Sequence, residues 1–204
     1  MKPYKIALFG SRRIENNLSL RNDLKILLRF WFSKKSHLQF YIGRNGDFDI
    51  LAASIVQQLK KEYAHVLCDL ILVLPYTVKD IEYYAEYYDQ IIIPDELFGM
   101  HYKRVITERN KWMVEQADFV VVYTASENGG AHRALEYAKK LDRPYFELLT
   151  IGNRDDYDEW RGFCRITEDF LYHEPLSPRS MEEYKDYYNE CYEEYSEYRD
   201  EDFL

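Results

Sequence analysis

Three segments of this 204-residue chain put glycine beside arginine or at the start of a helix, the combination that suits an anionic ligand. The first is Gly10-Ser11-Arg12-Arg13, directly after an apolar run. Glycine lets backbone N–H groups approach a phosphate, Ser11 adds a hydroxyl, and an arginine offers two parallel N–H donors. The bland alternative is an ordinary turn with solvent-facing arginines. The second is Gly43-Arg44-Asn45-Gly46-Asp47-Phe48-Asp49, where Gly43 and Gly46 could form a nest of amides for a phosphate or ribose. Asp49 stands where an N-cap would precede a helix, which is its simpler role. The third is a pair: Glu108-Arg109-Asn110-Lys111-Trp112-Met113, and Asn128-Gly129-Gly130-Ala131-His132-Arg133-Ala134-Leu135-Glu136. Gly129 and Gly130 would open a helix and present free amides to an anion. Glu136 and Arg109 read equally well as surface residues, Glu136 pairing with Lys139 or Lys140.

Other chemistries are missing from the pattern. No stretch fits G-x-G-x-x-G or the P-loop, so neither a standard dinucleotide fingerprint nor a Walker site is written in the chain. Cys68, Cys164 and Cys191 lie far apart without a C-x-x-C pair, and the five histidines show no ligand spacing. No metal and no cofactor is expected, and Cys68 reads as a core residue. The longest apolar runs fall far short of the roughly 18 residues of a membrane span. The run after Lys5 is too short for a signal peptide, so the expected compartment is the cytoplasm.

The elements that would position these segments alternate. Residues 4–9, 38–42, 69–74, 91–93, 118–123 and 144–149 read as strands, and residues 18–32, 50–62, 80–88, 101–116 and 130–141 as helices. Strands that are apolar throughout belong to a parallel sheet covered on both faces. The expected fold is therefore α/β and Rossmann-like, with ligands beyond the carboxyl ends of the strands. Past residue 150 the character changes. Residues 153–159 are polar and acidic, two prolines fall in 174–178, and residues 180–202 repeat tyrosine at helical spacing among acids. The expected organisation is a nucleotide-binding domain over 1–150 and an acidic, Tyr-rich helical extension over 151–204. That extension would pack on the domain or on a partner.

The net charge of −9 is unevenly spread. Residues 1–44 hold ten Lys/Arg against two acids, whereas residues 155–204 hold five against seventeen. A globally acidic chain gains little from counterion release, so nucleic acid is an unlikely partner on this reading.

The motifs in order resemble the SLOG superfamily over about residues 4–149: Gly-Ser-Arg after the first strand, the glycine turn into Asp49, R-N-x-W-M, and GG-x5-E. That superfamily joins the SMF/DprA DNA-processing proteins to the LOG phosphoribohydrolases, and this chain looks most similar to its bacterial YpsA-like branch. The resemblance implies a nucleotide site formed by Gly10, Ser11, Arg12, Gly43, Gly46, Asp49, Asn128, Gly129, Gly130, His132 and Arg133. It also maps the catalytic Arg and Glu of the LOG enzymes onto Arg109 and Glu136. It implies pairing of two copies through helices that flank the site. Asn128, His132 and Arg133 replace the proline, glycine and threonine of the enzyme motif and would crowd or re-charge its phosphate nest.

The reading that follows is a sensor or regulator that binds a phosphorylated, ribose-containing ligand such as ADP-ribose or an NAD-derived nucleotide. The alternatives are a LOG-like nucleotide N-glycosidase and an interaction protein with a vestigial pocket, docking through its C-terminal helix.

Overall fold

The computed structural model describes residues 2–148 apart from 15–16, 45, 80 and 125–128. The expected tyrosine helix, its acidic linker and the domain boundary at 150 lie outside the described residues. The chain runs β1 (Tyr4–Gly10), α1 (Asn17–Lys34), β2 (His37–Ile42), α2 (Asp47–Glu62), β3 (Leu67–Val73), α3 (Ile81–Ala85) and β4 (Gln90–Ile92). A 3-10 turn (Asp95–Leu97) leads into α4 (Tyr102–Gln116), β5 (Phe119–Tyr123), α5 (Gly130–Lys140) and β6 (Tyr145–Glu147). The six strands form one sheet in the order β4-β3-β2-β1-β5-β6, every pair parallel. This is the Rossmann-like α/β fold that the alternating pattern predicts.

Helices cover both faces because alternate strand residues supply both cores. Ala7, Phe9, Val120 and Val122 pack under α4 and α5, with Met113, Val114, Ala134, Leu135 and Ala138. Small alanines on α5 let it lie close to the sheet. On the other face α1 and α2 pack together. There Trp31 of α1 is fully buried, its ring 4.8 Å from Tyr4 and 5.0 Å from Phe119. The chain order reverses at β1: β2, β3 and β4 extend to one side, and the chain then crosses back to lay β5 on the other. Ends of strands at such a reversal leave a crevice, because their loops diverge.

A close approach tightens that crevice. Phe48, fully buried in the first turn of α2, lies so near Gly10 that an added Cβ would fall 2.0 Å from its Cγ. Only glycine fits beneath the ring. The Asp47 N–H donates to the Arg12 carbonyl at 3.0 Å, and the Ile14 N–H donates to Asp47 Oδ2 at 3.2 Å. The loops after β1 and β2 are thus clamped together.

Several boundaries differ from the sequence reading. Residues 80–88 give only one short helix, Ile81–Ala85, and the last strand covers three residues rather than six. The N-cap of α2 is Gly46, in extended conformation, and not Asp49, which lies a turn further on in the helix. Cys68 sits at the half-buried end of β3, where burial pushes its thiol pKa up to about 12.

Two outcomes follow. Gly10→Ala will lower stability by about 1–3 kcal/mol in urea titration, the usual cost of overpacking. In the native protein at pH 8, Cys68 will alkylate on the order of a thousandfold more slowly than a free cysteine, since its thiolate is scarce. Peptide mapping before and after denaturation reads this directly.

Candidate functional site

The crevice is a cleft of about 670 Å³ at the carboxyl edge of the sheet. It falls within the usual size range of small-molecule sites, about 300–1,000 Å³. Gly10, Ser11, Arg12 and Arg13 reach it from β1, Gly43, Arg44, Gly46 and Asp49 from β2 and α2, and Gly129 and Gly130 from the start of α5. The α4 wall supplies Ile106, Arg109, Asn110 and Met113. Four arginines therefore face one aspartate among the described lining residues.

Arg109 is held from several sides. Its Nη1 donates to the Val73 carbonyl at 2.9 Å, joining α4 to the end of β3. The same nitrogen and Asp49 Oδ2 both crowd Gly43, where an added Cβ would meet them at 2.8 and 2.9 Å. Burial lowers the guanidinium's pKa, and the Asp49 carboxylate acts against that shift. An arginine keeps its charge through such opposition. Among the described residues neither its buried Nε nor the buried Oδ1 of Asn110, the next residue of α4, has a hydrogen-bond partner. Buried polar atoms left unsatisfied are costly, and both residues line the cleft.

Other expected residues lie elsewhere. Glu136 is on the exposed side of α5, its Oε1 2.8 Å from Lys139 Nζ, and that contact lowers its pKa. It borders a separate groove of about 310 Å³ between α4 and α5, together with Arg133, Tyr137 and Lys140. The six residues from Gly130 to Glu136 turn a helix by about 240° beyond a full revolution, away from the cleft that Gly130 lines. The structure accordingly does not bring Glu136 into the cleft with Arg109. His132 and Arg133 are not among the residues that line the cleft; Arg133 is exposed and borders the groove between α4 and α5. Asn128 lies outside the described residues. Among the described residues no group of three potential ligands could hold a metal, and no helix is long and apolar enough to cross a membrane.

Sequence reasoning missed Tyr76, Val78 and Ile106, which also line the cleft. The one available signal was Pro75, just past the end of β3 at Val73, which marks the start of a loop at the carboxyl edge of the sheet.

No family model and no curated protein matches this sequence. Among solved structures, DNA processing protein A (DprA) from Streptococcus pneumoniae is similar with a TM-score of 0.52 and 16% identity, covering 80% of this chain and 55% of that one. This chain thus spans about half of that protein. Its counterpart from Helicobacter pylori gives a TM-score of 0.54 and 16% identity over 82% of each chain, and is described with a single-stranded DNA binding mode. A weaker likeness, TM-score 0.46 at 19% identity, to the molybdenum cofactor binding protein of Rippkaea orientalis covers 83% of this chain and 88% of that one. The fold is thus shared with the DprA proteins.

This finding corrects the expectation about nucleic acid. A single-strand binder shares the fold, so the net charge of −9 is no ground for setting nucleic acid aside. The error was to average over the chain: residues 1–154 carry 22 Lys/Arg against 19 Asp/Glu, and the acidity belongs to residues 155–204.

The crowding at Gly43 yields a contrast between two glycines. Gly43→Ala will cost about 1–3 kcal/mol in urea titration by displacing Arg109 from Val73. Gly130→Ala, whose added Cβ meets only Asn110 Nδ2 at 3.6 Å, will stay within about 0.5 kcal/mol of the parent.

Proposed function

We propose that residues 1–150 bind a phosphorylated, ribose-containing nucleotide in this cleft and act as a sensor or regulatory module rather than as a hydrolase. The observation that carries the reading is the lining itself. Four arginines, a bare glycine backbone and a helix start converge on a cleft with a single carboxylate among the described residues. A net positive, glycine-rich cavity favours a ligand with two or three negative charges, such as ADP-ribose or a related NAD-derived nucleotide. Asp49 suits the ribose hydroxyls, which donate to a carboxylate, and the arginines suit the phosphates. Unsatisfied Arg109 Nε and Asn110 Oδ1 are further polar positions for a ligand to meet.

Hydrolysis is the weaker reading because its acid is out of place. Glu136 is half-exposed, at 53%, and engaged by Lys139. A carboxylate that stabilises an oxocarbenium-like sugar must lie against that sugar. The YpsA-like branch belongs to the same proposal and rests on the sequence resemblance; a cytoplasmic setting belongs to it too and rests on the three scattered cysteines. In this scheme the acidic, Tyr-rich residues 151–204 serve as an extension for the domain or for a partner.

Thermal shift with ADP-ribose, NAD, ADP and AMP, each followed by chromatography for free base, tests the reading. ADP-ribose will raise the melting temperature by mass action, with no base released. Gly130→Asp, which has room for its side chain but sets a negative charge at the start of α5, will abolish the shift without unfolding the protein. Arg12→Ala will weaken binding about 10-fold or more, the usual loss for a charged hydrogen bond. Glu136→Gln will leave affinity unchanged. Release of base would restore the glycosidase, and silence across all four nucleotides would defeat the site.

A further inference from the structure

The cleft's lining is chemically mixed. Gly10, Arg12, Arg13 and the start of α5 give it basic side chains and bare backbone, whereas Leu74, Pro75, Tyr76 and Val78, which follow β3, and Ile106 of α4 give it apolar surface. Tyr76 is 47% exposed and Ile106 41% exposed, two large apolar side chains left open on different elements at one cavity. Tyr76 is also set apart among its tyrosine neighbours. Tyr83, Tyr84, Tyr87 and Tyr88 meet one another in edge-on and tilted ring contacts, and the Arg44 guanidinium lies over the Tyr84 ring, 5.6 Å from its centre. Among the described residues no ring or cation lies against Tyr76.

We infer that Tyr76 is a base-stacking platform, so that the occupant is a nucleotide whose aromatic base covers the Tyr76 ring while its phosphates lie among the arginines. The inference rests on the proposed phosphate-binding role of the cleft and adds what that role leaves open. A sugar phosphate would satisfy the basic side chains and leave the apolar ones wet. An aromatic base that covers Tyr76 removes exposed apolar surface from water and gains ring–ring contact. Arg109 and Asp49 line the same cleft, and the ribose of such a ligand would meet them there.

Calorimetric titration of the full chain with ADP and with inorganic pyrophosphate separates this claim from the one beneath it. The wild type should bind ADP more tightly than pyrophosphate. Tyr76→Ala should weaken ADP about 10- to 100-fold, the range for losing one stacked base, and leave pyrophosphate unchanged. Tyr76→Trp should restore ADP binding. Because Tyr76 is exposed in a bend, both variants should melt with the parent. Equal loss for both ligands, or no loss for either, overturns the stacking role. Equal wild-type affinity for ADP and pyrophosphate overturns it too, while leaving the phosphate site standing; binding of neither defeats both. A single-stranded oligodeoxyadenylate that binds more tightly than ADP, and is equally sensitive to Tyr76→Ala, overturns the free nucleotide as occupant in favour of a strand.

Discussion

The cleft depends on a ring pressed against a bare backbone. Phe48 fills the space where a side chain on Gly10 would otherwise stand, and this draws the start of α2 onto the end of β1. Once they meet, the Asp47 amide reaches the Arg12 carbonyl, and Gly46 comes to rest against Arg12 and Ser11. Two loops that the chain separates by a whole helix and strand become one wall. Phe48 also stacks on Tyr123 at the end of β5, 6.1 Å away and nearly parallel. The ends of β1 and β5 and the start of α2, which frame the crevice, are thus referred to one aromatic side chain.

A second constraint is electrostatic. Burying an arginine costs free energy unless its donors and charge are met. Arg109 meets that demand with the Val73 carbonyl and the nearby Asp49 carboxylate, and both solutions require Gly43 to lack a side chain. The same residue that stiffens the α4 wall leaves its Nε unsatisfied beside the cleft. Structure and binding are therefore not separable at this position. The arginine holds β3, α2 and α4 in register, and in doing so keeps a positive charge beside the space a phosphorylated ligand would occupy.

The likeness to DprA proteins concerns architecture, and the same architecture is compatible with more than one ligand. The particulars of this chain are local: an acid paired with Lys139 and absent from the cleft lining, four arginines around Asp49, and a half-exposed tyrosine at the same cleft. Function on such a scaffold is set by these side chains rather than by the sheet. Motif spacing alone misleads on the first point, since equal spacing from Gly130 fixes where Glu136 stands along α5 but not what faces it.

Much of this was legible in the sequence. The apolar strands and periodic helices dictated a parallel α/β sheet, because continuous Val, Ile and Leu runs such as residues 70–74 are suited to burial on both faces. The glycine–arginine segments marked the loops at its carboxyl edge. Local pattern could also set Asp49 near a helix start, though not tell a cap from a cleft residue. The tertiary structure decided the rest. That Phe48 needs Gly10, that Arg109 reaches Val73 thirty-six residues away, and that Tyr76 borders the same space as Arg12 are all contacts between distant parts of the chain. A helical or strand period fixes which face of an element is apolar; it carries no information on which distant backbone that face will meet.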